Sequence, residues 1–239
     1  MKAFLLAKRE WKSAVDSPVA YVLLALLPAV SAAFFFVMGP FFDRGVATLR
    51  DFFGLLPWLF VMVIPAITMR AWAEERRSGT EELLMTYPMR LRDLVLGKFL
   101  GAWGLLAASL FFTAGIPLTV ASLGDLDWGP VVGGYLGAML MGAAAISFGL
   151  FLSASTRNQV VAWLISAVGL MTWNMLDFAA TAEATPPALG RWLLAADFDE
   201  HFFAFARGVV DFRDVVFYLS VTVFFLCLNG LTSEHRRAS

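Results

Sequence analysis

Residues 71–88 read AWAEERRSGTEELLMTYP, with six charged side chains among eighteen, between two stretches apolar enough to enter lipid. The composition around this island decides the class of protein. A chain of 239 residues that is 59% hydrophobic and 15% charged cannot cover a soluble globule with polar surface, so the excess must face lipid. The mean hydropathy of +0.73 says the same. A spanning helix needs about 20 mostly apolar residues, and six segments qualify: 18–39, 53–69, 94–121, 130–152, 159–178 and 215–231. The runs are continuous and rich in Leu, Phe and Ala, where a closed barrel would show alternating ten-residue segments, so an all-α integral membrane protein with a single domain is expected. The one cysteine, Cys227, has no partner for an intrachain disulfide.

Orientation follows from the basic residues. With the N-terminus in the cytoplasm, 13 of the 18 Lys and Arg fall inside, among them Lys2, Lys8, Arg9, Lys12, Arg70, Arg76, Arg77, Arg157, Arg236 and Arg237. Arg44, Arg50, Arg191, Arg207 and Arg213 fall outside with most of the acids. That asymmetry predicts cytoplasmic termini, a cytoplasmic Thr80 and Arg157, and an external Asp127 and Glu200. The first apolar run is about 22 residues and begins at Pro18, which favours a retained span over a cleaved signal. Ahead of it, KAFLLAKREWKSAVD (2–16) puts Phe4, Ala7, Trp11 and Ala14/Val15 on one stripe opposite Lys8, Arg9, Lys12 and Asp16, a helix expected to lie along the inner membrane surface.

The fourth span carries Gly133, Gly137, Ala138, Gly142, Ala145 and Gly149 at small-xxx-small spacing, which lets another helix approach closely in lipid. The pattern leaves open whether that neighbour is in the same chain. Pro57 and Pro65 in the second span and Pro117 in the third each remove a helix hydrogen bond and predict bends.

In the island, Ser78 followed by Glu81 forms a capping box. Glu81 and Glu82 suit the positive end of a helix, and Tyr87-Pro88 ends it. A helix of about two turns is expected over 79–86, with Leu83, Leu84 and Tyr87 apolar in a segment placed in water. Such a patch rimmed by charge is either a docking site or a connector tucked under the bundle. Near the other end, Asp197 and Glu200 form a second cap-like pair. Phe198, Phe202, Phe205 and Val209 follow at helical spacing, and Gly208 can close the helix.

The stretch PAITMRAWAEERRSGTEELLMTYPMRLRDLVLGKFLGAW (65–103) resembles the signature region of ABC-2 type permeases, the membrane subunits of a class of ATP-binding-cassette exporters. Together with DFDEHFFAFARGVVDFRDVVFYLS (197–220) it is similar to the gliding-motility-associated branch. The resemblance implies an N-terminal elbow helix (2–16), six spans, a cytoplasmic coupling helix (79–86) between the second and third, and external short helices (188–210) before the sixth. It implies that the coupling helix sits in a groove of an ATPase subunit. The positions of this chain that match that motif are Glu74, Glu75, Gly79, Thr80, Glu81, Leu83, Leu84 and Pro88, with Ser78 as the cap. Met85-Thr86-Tyr87 departs from it.

No motif for chemistry stands beside this one. A phosphate-cradling loop needs G-x-x-x-x-G-K-[ST], but Gly97-Lys98 has Arg92 at the first glycine position and Phe99 after the lysine. His201 and His235 are the only histidines, which excludes HExxH. An intramembrane glutamate protease built on Glu74-Glu75 would need arginine at 79, where Gly79 stands. Asn174 and Asp177 are the most polar residues within the spans and are expected on one face of the fifth helix, as candidates for a transport pathway.

The expectation is therefore a permease subunit in a bacterial inner membrane, without its own cofactor, ATP and Mg being bound by the partner. It should pair with a second permease subunit, itself or a related gliding-type protein, and with two ATPase subunits. The work it does is export, or mechanical transmission to a periplasmic or envelope partner; nucleic acid has no place in it. An ATP-independent carrier or channel is the alternative, and it would call for charged or broken helices around a midplane site.

Overall fold

A computed structural model describes residues 11, 18–77, 91–183 and 185–238, and the described residues are helical throughout their regular structure. In chain order the helices are α1 (Pro18–Ala32), which widens into a π-helix over Ala33–Met38, α2 (Phe41–Arg44), α3 (Arg50–Thr68), α4 (Arg70–Arg77), α5 (Leu91–Phe112) and α6 (Gly115–Leu123). After these come α7 (Trp128–Ser155), α8 (Gln159–Asn174), α9 (Leu176–Thr181), α10 (Pro187–Ala196), α11 (Phe198–Ala206) and α12 (Phe212–Ala238). Among the described residues, five stretches are long and apolar enough to cross a membrane: Ala20–Met38, Arg50–Ala73, Leu91–Leu123, Trp128–Ser155 and Phe212–Glu234.

The segment expected to span at 159–178 differs. Its helix α8 stops at Asn174 after 16 residues, and Met175 at φ −106°, ψ 10° breaks it from α9. At about 1.5 Å per residue, α8 covers about 24 Å, short of a hydrocarbon core about 30 Å thick. The third long stretch also breaks, between α5 and α6, because Pro117 has no N–H to give to Thr113. Ile116 N–H takes that carbonyl instead, at 2.9 Å. The Thr113 hydroxyl lies 2.8 Å from the Tyr135 hydroxyl and closes the break against α7.

Helix α7 is the axis of the bundle. Two thirds (67%) of its most apolar window is buried, against 17% for α12 and 22% for the first stretch, so the latter two turn most of their apolar surface outward. The small residues of α7 explain its central place. A Cβ added at Gly137 would lie 2.6 Å from the Phe205 Cβ, and one at Gly133 would lie 2.5 Å from the Phe205 carbonyl oxygen. Gly134 faces the Phe53 ring, Gly142 faces Leu106 and Gly149 faces Thr68. The neighbours admitted by the glycine face are thus α11, α3 and α5 of the same chain. Close approach replaces the hydrophobic drive that lipid removes.

The chain ends of the expected interfacial elements are only partly described. Of 2–16, Trp11 alone is described; it is partly exposed and its ring packs beside Gly104 of α5. The expected coupling helix over 79–86 lies outside the described residues.

Candidate functional site

The elements that bear on function sit at the two ends of the bundle. At one end α3 stops, Met69 turns, and α4 leads away toward the charged island. Trp72 and Ala73 are fully buried, and Trp72 packs with Leu94 and Val95 of α5, Ala154 of α7 and Leu226 of α12. This small cluster is separate from the main core. Two polar side chains from neighbouring helices complete the turn. Ser153 of α7 donates its hydroxyl to the Met69 carbonyl at 3.2 Å and accepts the Trp72 N–H at 3.3 Å. Lys98 of α5 is 3% exposed, donates to the Ala71 carbonyl at 2.6 Å and lies 5.0 Å from the centre of the Trp72 ring. A buried ammonium needs such partners, because burial strips it of water.

Glu74 and Glu75 belong to α4. Ser78, Gly79, Thr80, Glu81, Leu83, Leu84 and Pro88 lie outside the described residues. Sequence reasoning counted Lys98 among the cytoplasmic basic residues and met it again as a failed phosphate-loop lysine, and it passed over Ser153. The signal was a cation several residues inside an apolar span, which by itself calls for a buried partner.

At the opposite end, α9, α10 and α11 form a cap over the bundle. Asp197 is completely buried and its carboxylate accepts three backbone N–H groups: Asp199 at 2.6 Å, Glu200 at 3.0 Å and Asp177 at 2.7 Å. The first two cap α11, as its sequence predicts, and the third ties α11 to α9. Phe198, Phe202 and Phe205 are buried on α7 and α12, but Val209 falls past the helix end and is exposed. Gly208, at φ 81°, closes α11: its N–H bonds to Phe205 at 2.9 Å and Val209 N–H bonds to Ala204 at 3.0 Å, a Schellman arrangement. Trp173 at the end of α8 stacks on Phe198 at 4.3 Å, and Tyr218 of α12 donates to the Phe198 carbonyl at 2.7 Å. His201 Nδ1 lies 2.7 Å from Asp214 Oδ1 of α12 and its Nε2 lies 3.1 Å from the Ala195 carbonyl. Both partners are oxygens, so the imidazole bridges α10 and α12 through its two ring nitrogens.

Asn174 and Asp177 do not share a face. The break at Met175 leaves Asn174 buried, donating to the Pro57 carbonyl of α3 at 3.0 Å, while Asp177 is exposed on α9 and caps its own Phe178 N–H. The cavity beside Asn174, lined by Pro57, Phe60, Met141, Leu170 and Phe198 among others, measures about 10 Å³, no more than one water needs. Asn174 therefore joins α8 to α3 in this conformation. Among the described residues no three His, Cys, Asp or Glu gather to hold a metal ion.

Asp199 is the group of the cap whose proton is displaced. Burial raises its carboxyl to about 7, and the charges of Asp197, Asp177 and Glu200 push the same way. Its Oδ1 is buried without a hydrogen-bond partner. The folded cap therefore holds the proton more tightly than the unfolded chain does. That stability is complete below pH about 4 and is lost as pH rises through about 7. The melting temperature of the protein in detergent is expected to fall between pH 5 and pH 8, and Asp199→Asn, which mimics the protonated acid, should flatten that fall. An unchanged slope in the variant would move the titration elsewhere.

The sequence model of the family described as ABC-2 family transporter protein matches residues 31–194, from the end of α1 into α10. No curated protein matches the chain. The matched stretch covers more than half of the 239 residues and takes in the glycine-faced α7, the α3–α4 turn, α9 and most of α10, and the chain belongs to the ABC-2 family transporter proteins.

Proposed function

We propose that this chain is the membrane-spanning permease subunit of an ABC exporter, coupled through the expected coupling helix (79–86) to a separate ATPase subunit. The observation that carries the reading is the α3–α4 turn. An acidic and apolar segment that the family resemblance makes an ATPase dock emerges from a helix wedged among α5, α7 and α12, where a push on it reaches three spans. Six crossings, with the short α8 as the fifth and the polar cap at the outer face, agree with the distribution of Lys and Arg and put both termini in the cytoplasm of a bacterial inner membrane. Five long stretches and one of 16 residues support that count. The shortfall of α8 is of the size a locally thinned bilayer accommodates.

Two such subunits, identical or related, complete a pathway and engage two ATPases. The outward apolar surfaces of α12 and α1 suit lipid and a second subunit equally. Co-expression with its cognate ATPase should yield a complex that hydrolyses ATP, while the purified chain alone hydrolyses none. In the same complex a cysteine at Glu200 should react with an impermeant maleimide from the outside. Hydrolysis by the lone chain, or a Glu200 cysteine labelled from the cytoplasm alone, would overturn the assignment.

A further inference from the structure

We infer that Lys98, with Ser153, is the positioning element that passes movement of α4 to α5 and α7; this rests on the proposed ATPase dock and deepens it. The reasoning starts from what a turn between two helices leaves undone. Where α3 ends and α4 begins, Met69 keeps a helical backbone and its N–H bond to the Pro65 carbonyl at 2.8 Å, and groups from outside bind the backbone at Met69, Ala71 and Trp72. Here both outside groups come from other spans. Ser153 bridges the Met69 carbonyl and the Trp72 N–H across the break, which fixes α4 to α7. Lys98 bonds to the Ala71 carbonyl and faces the Trp72 ring, which fixes α4 to α5. The Trp72 indole N–H is buried without an acceptor, so the tryptophan is held by its ring face and bulk rather than by a bond of its own.

The chemistry of Lys98 fits transmission better than simple packing. A lysine in an apolar span is costly, and a leucine or methionine would fill the same space in a purely structural role. Its ammonium instead makes a directional bond to the first turn of α4 and a face contact to the side chain that wedges that turn. Movement of α4 cannot leave both in place unless α5 follows. The Gly149 contact with Thr68, at the end of α3, seats the same turn against α7 one helical turn away from Ser153, so sliding there is sterically blocked as well. The joint is stiff toward α5 and α7 together.

The experiment uses the full-length complex with its ATPase in lipid nanodiscs, Cys227→Ser, carrying one reporter, Asp125→Cys, in the exposed turn between α6 and α7 at the far end of both spans. The maleimide labelling rate is read with a non-hydrolysable ATP analogue and Mg, and without. The expected result is a nucleotide-dependent change in rate that Lys98→Met reduces at least fivefold while the ATPase still copurifies in full, and that Lys98→Arg restores in large part. Ser153→Ala, too small a change to unfold the chain, should reduce it at least twofold. A wild-type nucleotide response in Lys98→Met and Ser153→Ala would overturn the inference, as would loss of the ATPase from folded Lys98→Met, which would make Lys98 part of the dock. If no ATPase copurifies even with the unsubstituted chain, the proposed dock itself fails, a result distinct from either.

Discussion

Leu84→Asp is expected to abolish recovery of the ATPase with this protein while leaving its insertion and melting temperature unchanged. The argument begins with the segment's composition. Leu83 and Leu84 stand in a stretch otherwise crowded with Glu74, Glu75, Arg76, Arg77, Glu81 and Glu82, and an apolar pair has reason to persist in such company only where something covers it. If that cover is a groove in the ATPase, a leucine seated there acts as an anchor, and truncating such an anchor costs about 2 kcal/mol or more, at least thirtyfold in affinity. Aspartate adds the cost of a carboxylate facing that groove. Glu81→Arg acts on the same dock by a different route, removing an acid from the positive end of the expected helix and reversing its charge toward the partner. Full complex formation by both variants, measured by copurification and by ATP turnover, would return the leucines to the role of a connector tucked under the bundle.

The legibility of this chain varies with the distance over which its residues act. The spans were readable because twenty apolar residues in a row admit few other uses, and the Asp197 cap and Gly208 closure were readable because a cap acts within three residues of itself. The short fifth helix was not. Asn174, Asp177 and the apolar run before them look continuous, and the break at Met175 is imposed from outside, by Trp173 donating to Ala196 at 2.6 Å and by Asp197 taking the Asp177 N–H from twenty residues away. The glycine face of α7 announced close packing but not its partner, because small-xxx-small spacing records only what is missing. Phe205, Phe53 and Leu106 supply the other half. The partners of Lys98 and Ser153 were invisible for the same reason: they are backbone groups 27 and 81 to 84 residues away in sequence, and a backbone group leaves no mark on the residue alphabet.

Asp197→Ala should be the most destabilising single substitution in the cap, by on the order of 3–4 kcal/mol. Two of the N–H groups it accepts belong to the first turn of α11, and losing an N-cap costs about 1–2 kcal/mol. The third comes from Asp177 in α9, and a hydrogen bond to a charged acceptor contributes about 1.5–3 kcal/mol. All three donors converge on a carboxylate with no exposed surface, so water cannot take its place without opening the cap. The loss should appear locally, as exchange of the Phe202 and Phe205 amides faster by about a hundredfold or more, since each 1.4 kcal/mol is a factor of ten. Amides in the centre of α7 should hold their protection, being packed on α3 and α5 as well as on α11. Asp197→Asn keeps one acceptor oxygen and should cost less. It also removes a negative charge beside Asp199, so the fall of stability with pH should move to lower pH, toward an ordinary carboxylate. Uniform loss of protection along the whole chain in Asp197→Ala would mean that the cap and the bundle unfold as one unit. Protection unchanged at Phe202 and Phe205 would show that the phenylalanines on the glycine face hold α11 without its cap.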